Sequence, residues 1–159
     1  MKVVKGDLIQ MALDGQFSII VHGCNCQNVM GKGIAKSIKE TFPAAYEADL
    51  KTIKGDKSKL GKFSWTPIQI QPHPTNIDNS TVYVVNAYTQ YDYRGEGVLV
   101  DYDAVRSCFG KLRSIASRED TIGYPKLGAG LAKGDWMIIS RIIDEELDGY
   151  NHTLVEWNK

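Results

Sequence analysis

The stretch of sequence that decides the fold is residues 22 to 43, HGCNCQNVMGKGIAKSIKETFP. Before it, the run FSIIVH at 17 to 22 is almost continuously apolar and β-branched, which is typical of a strand buried on both faces. After Gly31-Lys32-Gly33, apolar residues recur at helical spacing from Ile34 to Phe42. The stretch therefore predicts a buried strand, a glycine loop and a helix, in that order.

The same order occurs a second time. The predicted strand TIGY at 121 to 124 leads through Gly128-Ala-Gly-Leu131 into a helix predicted from Trp136 to Leu147 and capped by Asp135. In an open α/β sheet such loops meet at the carboxyl ends of the strands, where free amides and positive helix ends face a crevice. Glycine permits positive φ and close approach of the backbone to a ligand. The two loops together predict a site for a diphosphate.

The remaining segments complete an α/β pattern. Further strands are predicted at 1–5, 61–70, 82–87 and 153–157, and further helices at 8–13, 44–53 and 101–116. A polar, tyrosine-rich loop is predicted at 88–97, and His73 lies between two prolines in another predicted loop. Strands alternating with helices predict a three-layer α/β/α fold with a central mixed sheet, formed as a single domain by residues 1–159.

Composition limits the classes of function. The chain has 159 residues, of which 43% are hydrophobic and 24% charged, and no apolar run approaches the roughly 20 residues that span a bilayer. Nineteen basic and nineteen acidic residues cancel, so no overall field attracts a nucleic-acid backbone. No targeting signal is evident at either end. We expect a monomeric, cytoplasmic protein without a membrane partner.

The opening stretch could also be a metal site or a thiol active site. Cys24 and Cys26 are separated by one residue, and Cys108 is the third cysteine, a pattern that suits neither a disulfide framework nor the usual zinc spacing. No adjoining cation lowers their pKa, so we interpret them as buried packing residues. We expect no metal and no cofactor.

Neither glycine loop matches a common nucleotide motif. The chain has no Gly-x-x-x-x-Gly-Lys-Ser/Thr sequence, which disfavours a P-loop kinase or ATPase. Gly31-Lys32-Gly33 lacks the third glycine of the dinucleotide fingerprint. The loops therefore indicate a phosphate-binding site of another kind.

Three segments resemble the macrodomain family, which binds ADP-ribose: VKGDL at 4–8, HGCNCQNVMGKGIA at 22–35 and YPKLGAGLAKGDW at 124–136. Their order, spacing and strand-loop-helix context agree with the family over essentially the whole chain. The sequence is most similar to the branch that contains ADP-ribose 1″-phosphate phosphatases, terminal ADP-ribose glycohydrolases and macrodomains that remove ADP-ribose from DNA.

The resemblance implies a set of ligand contacts. Asp7 would accept a hydrogen bond from the adenine amino group, with the Leu8 amide nearby, and Asn25 would contact the distal ribose. Tyr88 and Tyr91 lie where the family places residues near the ligand, and stacking on adenine is expected from one of Tyr88, Tyr91 and Tyr93. The two loops around the diphosphate would be formed by Gly31, Lys32, Gly33, Ile34 and Ala35, and by Lys126, Leu127, Gly128, Ala129, Gly130 and Leu131.

The resemblance also implies a reaction. His22-Gly-Cys-Asn-Cys26 matches the phosphatase-like branch, whereas Ala87 stands in place of the glycohydrolase lysine, and Ala132 falls near the place of an assisting acidic residue. We therefore predict catalytic roles for His22, as a general acid or base, and for Asn25, and hydrolysis of ADP-ribose 1″-phosphate to ADP-ribose and phosphate. Two alternatives remain: removal of ADP-ribose from a protein or nucleic acid, and non-catalytic binding of ADP-ribose.

Overall fold

A computed structural model of the protein describes residues 1–71 and 80–157, and His73 lies outside these ranges. The described strands, β1 to β6, span Lys2–Gly6, Ile19–Asn25, Phe63–Gln69, Thr81–Gln90, Thr121–Tyr124 and Asn151–Trp157. The described α-helices, α1 to α5, span Leu8–Leu13, Gly33–Thr41, Pro43–Leu50, Tyr102–Ile115 and Trp136–Glu146, and a 3-10 turn, η1, spans Lys57–Lys59. Among these helices, none is both long and apolar enough to cross a membrane.

The strands form one sheet in the order β1-β6-β5-β2-β4-β3. All neighbouring strands are parallel except β3, which pairs antiparallel with β4, so the predicted mixed sheet is confirmed. β2 and β5, the two strands followed by glycine loops, are neighbours. The chain leaves them for opposite faces of the sheet, since α2 packs on one face and α5 on the other. Crevices open at such a switch point in α/β sheets.

Alternating side chains of the central strands build the two apolar layers. Ile19 and Val21 of β2 pack with α4 and α5 on one face, whereas Ile20 packs with α1, α2 and α3 on the other. Because β2 is covered on both faces, it reads as a continuous apolar run rather than an alternating one. The sheet and its two helical layers confirm the predicted three-layer α/β/α architecture.

Two central strands are longer than predicted. β2 continues through the polar residues to Asn25, and β4 continues to Gln90, so Tyr88 lies inside a strand and the prediction that a loop begins there is wrong. The extensions pair with each other: Cys24 lies opposite Tyr88, and a bulge then brings Asn25 opposite Gln90. Polar residues are poor markers of a strand end here because cross-strand pairing, rather than apolar content, stabilises these last residues.

Candidate functional site

A cleft of about 470 Å³ lies at the carboxyl edge of the sheet. It is bounded by the loop between β2 and α2 together with the first turn of α2, which we call loop 1, by the loop between β5 and α5, which we call loop 2, and by the end of β4. Eleven predicted site residues line it: Asn25, Gly31, Lys32, Gly33, Ile34, Ala35, Lys126, Leu127, Gly128, Gly130 and Leu131. The structure thus brings both glycine loops and the predicted ribose contact to a single cleft.

Backbone amides of both loops are free to bind a ligand. Within the described residues, no acceptor bonds the amides of Gly33, Ile34 and Ala35 in the first turn of α2, whose N-cap, Lys32, makes no side-chain capping bond. In loop 2 the amides of 128, 130 and 131 likewise have no acceptor in the described part of the chain. Free amides at a helix N-terminus and in a glycine loop favour a negatively charged group.

One glycine in each loop has a left-handed backbone. Gly33 has a φ of 59°, and a methyl group added there would lie 3.6 Å from Cδ1 of Leu131 in loop 2. Gly128 has a φ of 76°, and a Cβ at this position would lie 2.8 Å from Cγ2 of Val100. Both the left-handed backbone and the close packing at 128 require glycine. Both loops therefore have the positive φ that their glycines permit, and the packing at 128 leaves no room for a side chain.

Asn25 lies at the edge of the cleft with its amide group held by its own turn. Nδ2 donates to the carbonyl of Val29 at 2.9 Å, and Oδ1 accepts from the amide of Gln27 at 2.9 Å. The residue is 8% exposed, yet Asn25 and Val29 both line the cleft. These two bonds fix the orientation of the Asn25 side chain before any ligand binds. A polar group held in this way can contact a ligand without first losing rotational freedom.

The cleft combines cationic side chains with apolar surface. Lys32 and Lys126 line it and are exposed, and none of the described lining residues is a carboxylate or a histidine. Cys24 is the lining thiol, and burial raises its pKa well above the ordinary value, which opposes a role as a nucleophile at neutral pH. The electrostatic character of the cleft therefore suits an anion.

His22, predicted as a general acid or base, is not among the residues that line the cleft. Its side chain is fully buried, and Nε2 lies 2.6 Å from Oδ1 of Asn86, to which it donates. Asn86 in turn donates from Nδ2 to Ala45 and Ser64, which fixes Oδ1 as the acceptor. Burial lowers the pKa of His22 to about 4, so the ring is neutral near pH 7. This placement does not fit direct contact with a substrate.

Four other predicted ligand contacts also lie outside the cleft lining. Tyr88 is buried beneath it, where its hydroxyl donates to Asp49 at 2.7 Å, so its predicted ligand contact does not fit this placement either. Asp7 is exposed and caps α1 through bonds from the amides of residues 9 and 10, and Leu8 is buried behind it. Ala129 packs against the core under loop 2. Because Asp7 follows β1, it still faces the same edge of the sheet as the cleft.

Of the three tyrosines expected to stack on adenine, Tyr93 lines the cleft and is 46% exposed, whereas several other lining residues were not expected from the sequence. The ring of Tyr93 is covered by the guanidinium of Arg94 at 4.9 Å, and Arg94 is held by Asp92. Gln90 also lines the cleft, where a bulge in the β2–β4 pairing brings it opposite Asn25, and this long-range register left no signal in the sequence. The other lining residues not predicted are Gly23, Cys24, Val29, Pro125 and Ala132.

Ala87 and Ala132 are the two residues at or near which the resemblance implies a lysine and an acidic residue in the glycohydrolase branch. Ala87 is buried in β4, packed in the layer formed with α4 and α5, and offers no functional group. No cluster of three or more His, Cys, Asp or Glu side chains that could hold a metal occurs within residues 1–71 and 80–157. The chemical groups of the cleft are therefore backbone amides, two lysines, a tyrosine, two carboxamides and the thiol of Cys24.

Comparisons with known proteins agree with this geometry. A 17.5 kDa uncharacterized protein of Enterobacteria phage T4, encoded in the tk-vs intergenic region, is 34% identical over 160 residues, which cover 98% of this chain and 96% of the phage protein. An ADP-ribose 1″-phosphate phosphatase of Neosartorya fischeri is 49% identical over 43 residues, covering 27% of this chain and 20% of that protein.

Among solved structures, that of Thermosipho africanus DarTG in complex with ADP-ribose superimposes with a TM-score of 0.73 at 18% identity, covering 98% of this chain and 41% of that one. At this identity the similarity establishes the fold. The Macro domain family matches residues 21–143, which include both glycine loops, β5 and most of β2. The chain therefore belongs to the macrodomain family.

Proposed function

We propose that the cleft binds ADP-ribose 1″-phosphate and hydrolyses its phosphomonoester, giving ADP-ribose and phosphate. The observation that carries this proposal is the pair of facing loops with unbonded backbone amides, accompanied by two lysines and no described carboxylate. Such a surface stabilises negative charge and repels none. It matches a substrate with a diphosphate and a terminal phosphate.

The sheet edge sets the direction of the substrate. Asp7 follows β1, the glycine loops follow β5 and β2, and Asn25 ends β2 beside Gln90 of β4. Neighbouring strands are about 4.8 Å apart, so the edge from β1 to β2 extends about 14 Å. Adenine would lie near Asp7, the diphosphate between the loops, and the distal ribose at Asn25. The terminal phosphate then lies beyond Asn25, toward Gln90 and Tyr93.

The proposed reaction uses water. An oxygen of water forms a bond to phosphorus while the bond from phosphorus to the C1″ oxygen breaks. The proton that the attacking water gives up is taken by the C1″ oxygen, so ADP-ribose leaves with a hydroxyl at C1″ and the water oxygen stays on the phosphate. Phosphoryl transfer depends mainly on positioning and on stabilisation of charge. Loop amides and lysines supply charge stabilisation, and Asn25 positions the sugar. His22 contributes from below the cleft, by holding β2 against β4.

Two of the comparisons support this assignment. The proteins with local similarity over about a quarter of this chain include an ADP-ribose 1″-phosphate phosphatase. A protein that shares the fold binds ADP-ribose in its solved structure.

Removal of ADP-ribose from a macromolecule ranks second. Glycosidic cleavage commonly uses a pair of carboxylates beside the scissile bond, and no described residue lining the cleft is a carboxylate. The similarity to DarTG covers 98% of this chain, but at 18% identity it supports this alternative only through the shared fold.

The test is a phosphate-release assay with ADP-ribose 1″-phosphate, run on the wild type and on Asn25→Ala. We expect release by the wild type and at least a tenfold loss in the variant, since Asn25 lines the cleft. Retained ADP-ribose binding without phosphate release would favour a non-catalytic binding protein. Cleavage of a mono-ADP-ribosylated protein or oligonucleotide, without phosphate release, would favour the second function.

A further inference from the structure

Lys59 is a buried cation that the proposed reaction does not use. It belongs to η1, beneath loop 1, and is 7% exposed. Asp49 and Asp56 interact with its ammonium group electrostatically, but in the described part of the chain no carboxylate lies within 4.0 Å of it. A buried ammonium without a close counter-ion is unfavourable unless other groups satisfy its hydrogens. Its contacts therefore indicate what it stabilises.

Those contacts are on the turn that carries Asn25. Nζ of Lys59 donates to Oδ1 of Asn28 at 2.6 Å and to the carbonyl of Cys26 at 3.2 Å, and it lies 4.8 Å from the ring centroid of Tyr88. Residues 25 and 29 of this turn line the cleft, while residues 26 and 28 supply the acceptors for Lys59. The ammonium thus holds the turn from the side opposite the cleft.

The turn needs such a support because its backbone is unusual. Asn28 has a φ of 58°, in the left-handed region, and its side chain also bonds the carbonyl and hydroxyl of Thr52. The amide of Gly55 donates to the carbonyl of Cys26 at 2.7 Å, which shares that acceptor with Lys59. A strained turn persists where surrounding bonds over-determine it. Lys59 is the charged member of that set.

We propose that Lys59 is a positioning residue, which fixes the turn from Asn25 to Val29 so that Asn25 meets the distal ribose. The inference rests on the proposed function for the identity of the sugar. It assigns no contact between Lys59 and the ligand. Loss of the ammonium should disturb recognition of the distal ribose and leave the diphosphate loops intact.

The test compares ADP-ribose with ADP, which lacks the distal ribose. In Lys59→Met we expect the Kd for ADP-ribose to rise about tenfold or more, since two bonds from a charged donor are lost, and the Kd for ADP to stay within about twofold. Lys62→Met, which removes an exposed lysine three residues away, is the matched control and should change neither value. An equal rise in the Kd for ADP-ribose and for ADP, or no rise in either, would overturn the inference.

A second variant tests the same contact from the acceptor side, and a measurement without ligand tests the turn itself. Asn28→Gly keeps the left-handed backbone but removes the acceptor, and it should give the same split between the two ligands. Hydrogen exchange of the Gln27 amide, which donates to Asn25, should accelerate at least tenfold in Lys59→Met while amides within β2 stay protected. Unchanged Gln27 exchange would contradict the inference even if the protein bound no ADP-ribose. Absence of phosphate release would contradict only the proposed function.

Discussion

Nε2 of His22 donates a 2.6 Å hydrogen bond to Oδ1 of Asn86, and the two residues are opposite each other in the β2–β4 pairing. Asn86 also donates to Oγ of Ser64, its partner on β3. These side chains therefore join three adjacent strands beneath the cleft. The histidine of the opening motif is placed to hold the carboxyl end of β2, from which Asn25 projects.

Replacing His22 should affect stability more than chemistry. In His22→Gln we expect the free energy of unfolding to fall by about 1–3 kcal/mol, because the buried acceptor on Asn86 loses a well-placed donor. Phosphate release by the folded variant should stay within about tenfold of wild type. Urea unfolding and the release assay measure the two effects. A hundredfold loss of release at unchanged stability would return His22 to a direct catalytic role.

His22 should also contribute to acid sensitivity. Burial lowers its pKa from 6.5 to about 4. Between these two pH values His22 is protonated in the unfolded state but not in the folded state. Through this group the free energy of unfolding falls by about 3 kcal/mol as the pH drops from 6.5 to 4, and no further below that. Burial raises the pKa of Asp49, so this group stabilises the folded state as the pH falls, opposite to His22. Because Asp49 is present in the wild type and in His22→Gln, its contribution cancels when the two are compared. Subtracting the His22→Gln pH profile from that of the wild type therefore isolates the histidine, and a difference that is flat between pH 4 and 6.5 would refute the assignment.

Two glycines of loop 2 should respond differently to alanine. Gly128→Ala places a Cβ 2.8 Å from Val100 at a positive φ, so we expect a loss of about 1–3 kcal/mol in the free energy of unfolding. Gly130→Ala meets no atom within 4 Å and should change stability by less than about 0.5 kcal/mol. Thermal or urea unfolding distinguishes them. Equal stability of the two variants would contradict the loop geometry.

The lysines of the cleft should bind the substrate through charge. Lys126→Gln should weaken ADP-ribose binding about three- to tenfold at low salt, and added salt should reduce the difference, because screening weakens exposed charge pairs. Lys36→Gln removes an exposed lysine that does not line the cleft and serves as the control. Calorimetry at two salt concentrations measures both. Equal effects of the two substitutions would exclude a local role for Lys126.

Local patterns predicted the parts of the site that depend on backbone. Gly31 to Ala35 and Gly128 to Leu131 were identified because strand, glycine loop and helix follow one another in the sequence, and the α/β architecture brings such loops to one edge. Asp135 likewise caps α5 as its position before an apolar run predicts. These features arise from short-range rules, which a single sequence carries.

Side-chain direction at the strand ends could not be predicted in the same way. His22 lies two residues before the lining residue Cys24, and Tyr88 lies two before the lining residue Gln90, so strand alternation by itself places both on the same face as residues of the cleft. Whether either enters the cleft depends on the β2–β4 register and on the bulge at Asn25, which are long-range features. Buried partners such as Asn86 and Asp49 come from distant segments and complete these environments.

The central claim is that the free amides of both glycine loops hold the diphosphate of ADP-ribose. Its most direct test is titration of ¹⁵N-labelled protein with ADP-ribose, followed by NMR. We predict saturable shifts of the amides of Gly33, Ile34, Ala35, Gly128, Gly130 and Leu131, all of which lie in the two loops that bound the cleft. Absence of shifts at millimolar ADP-ribose, or shifts confined to residues outside the two loops, would contradict the account.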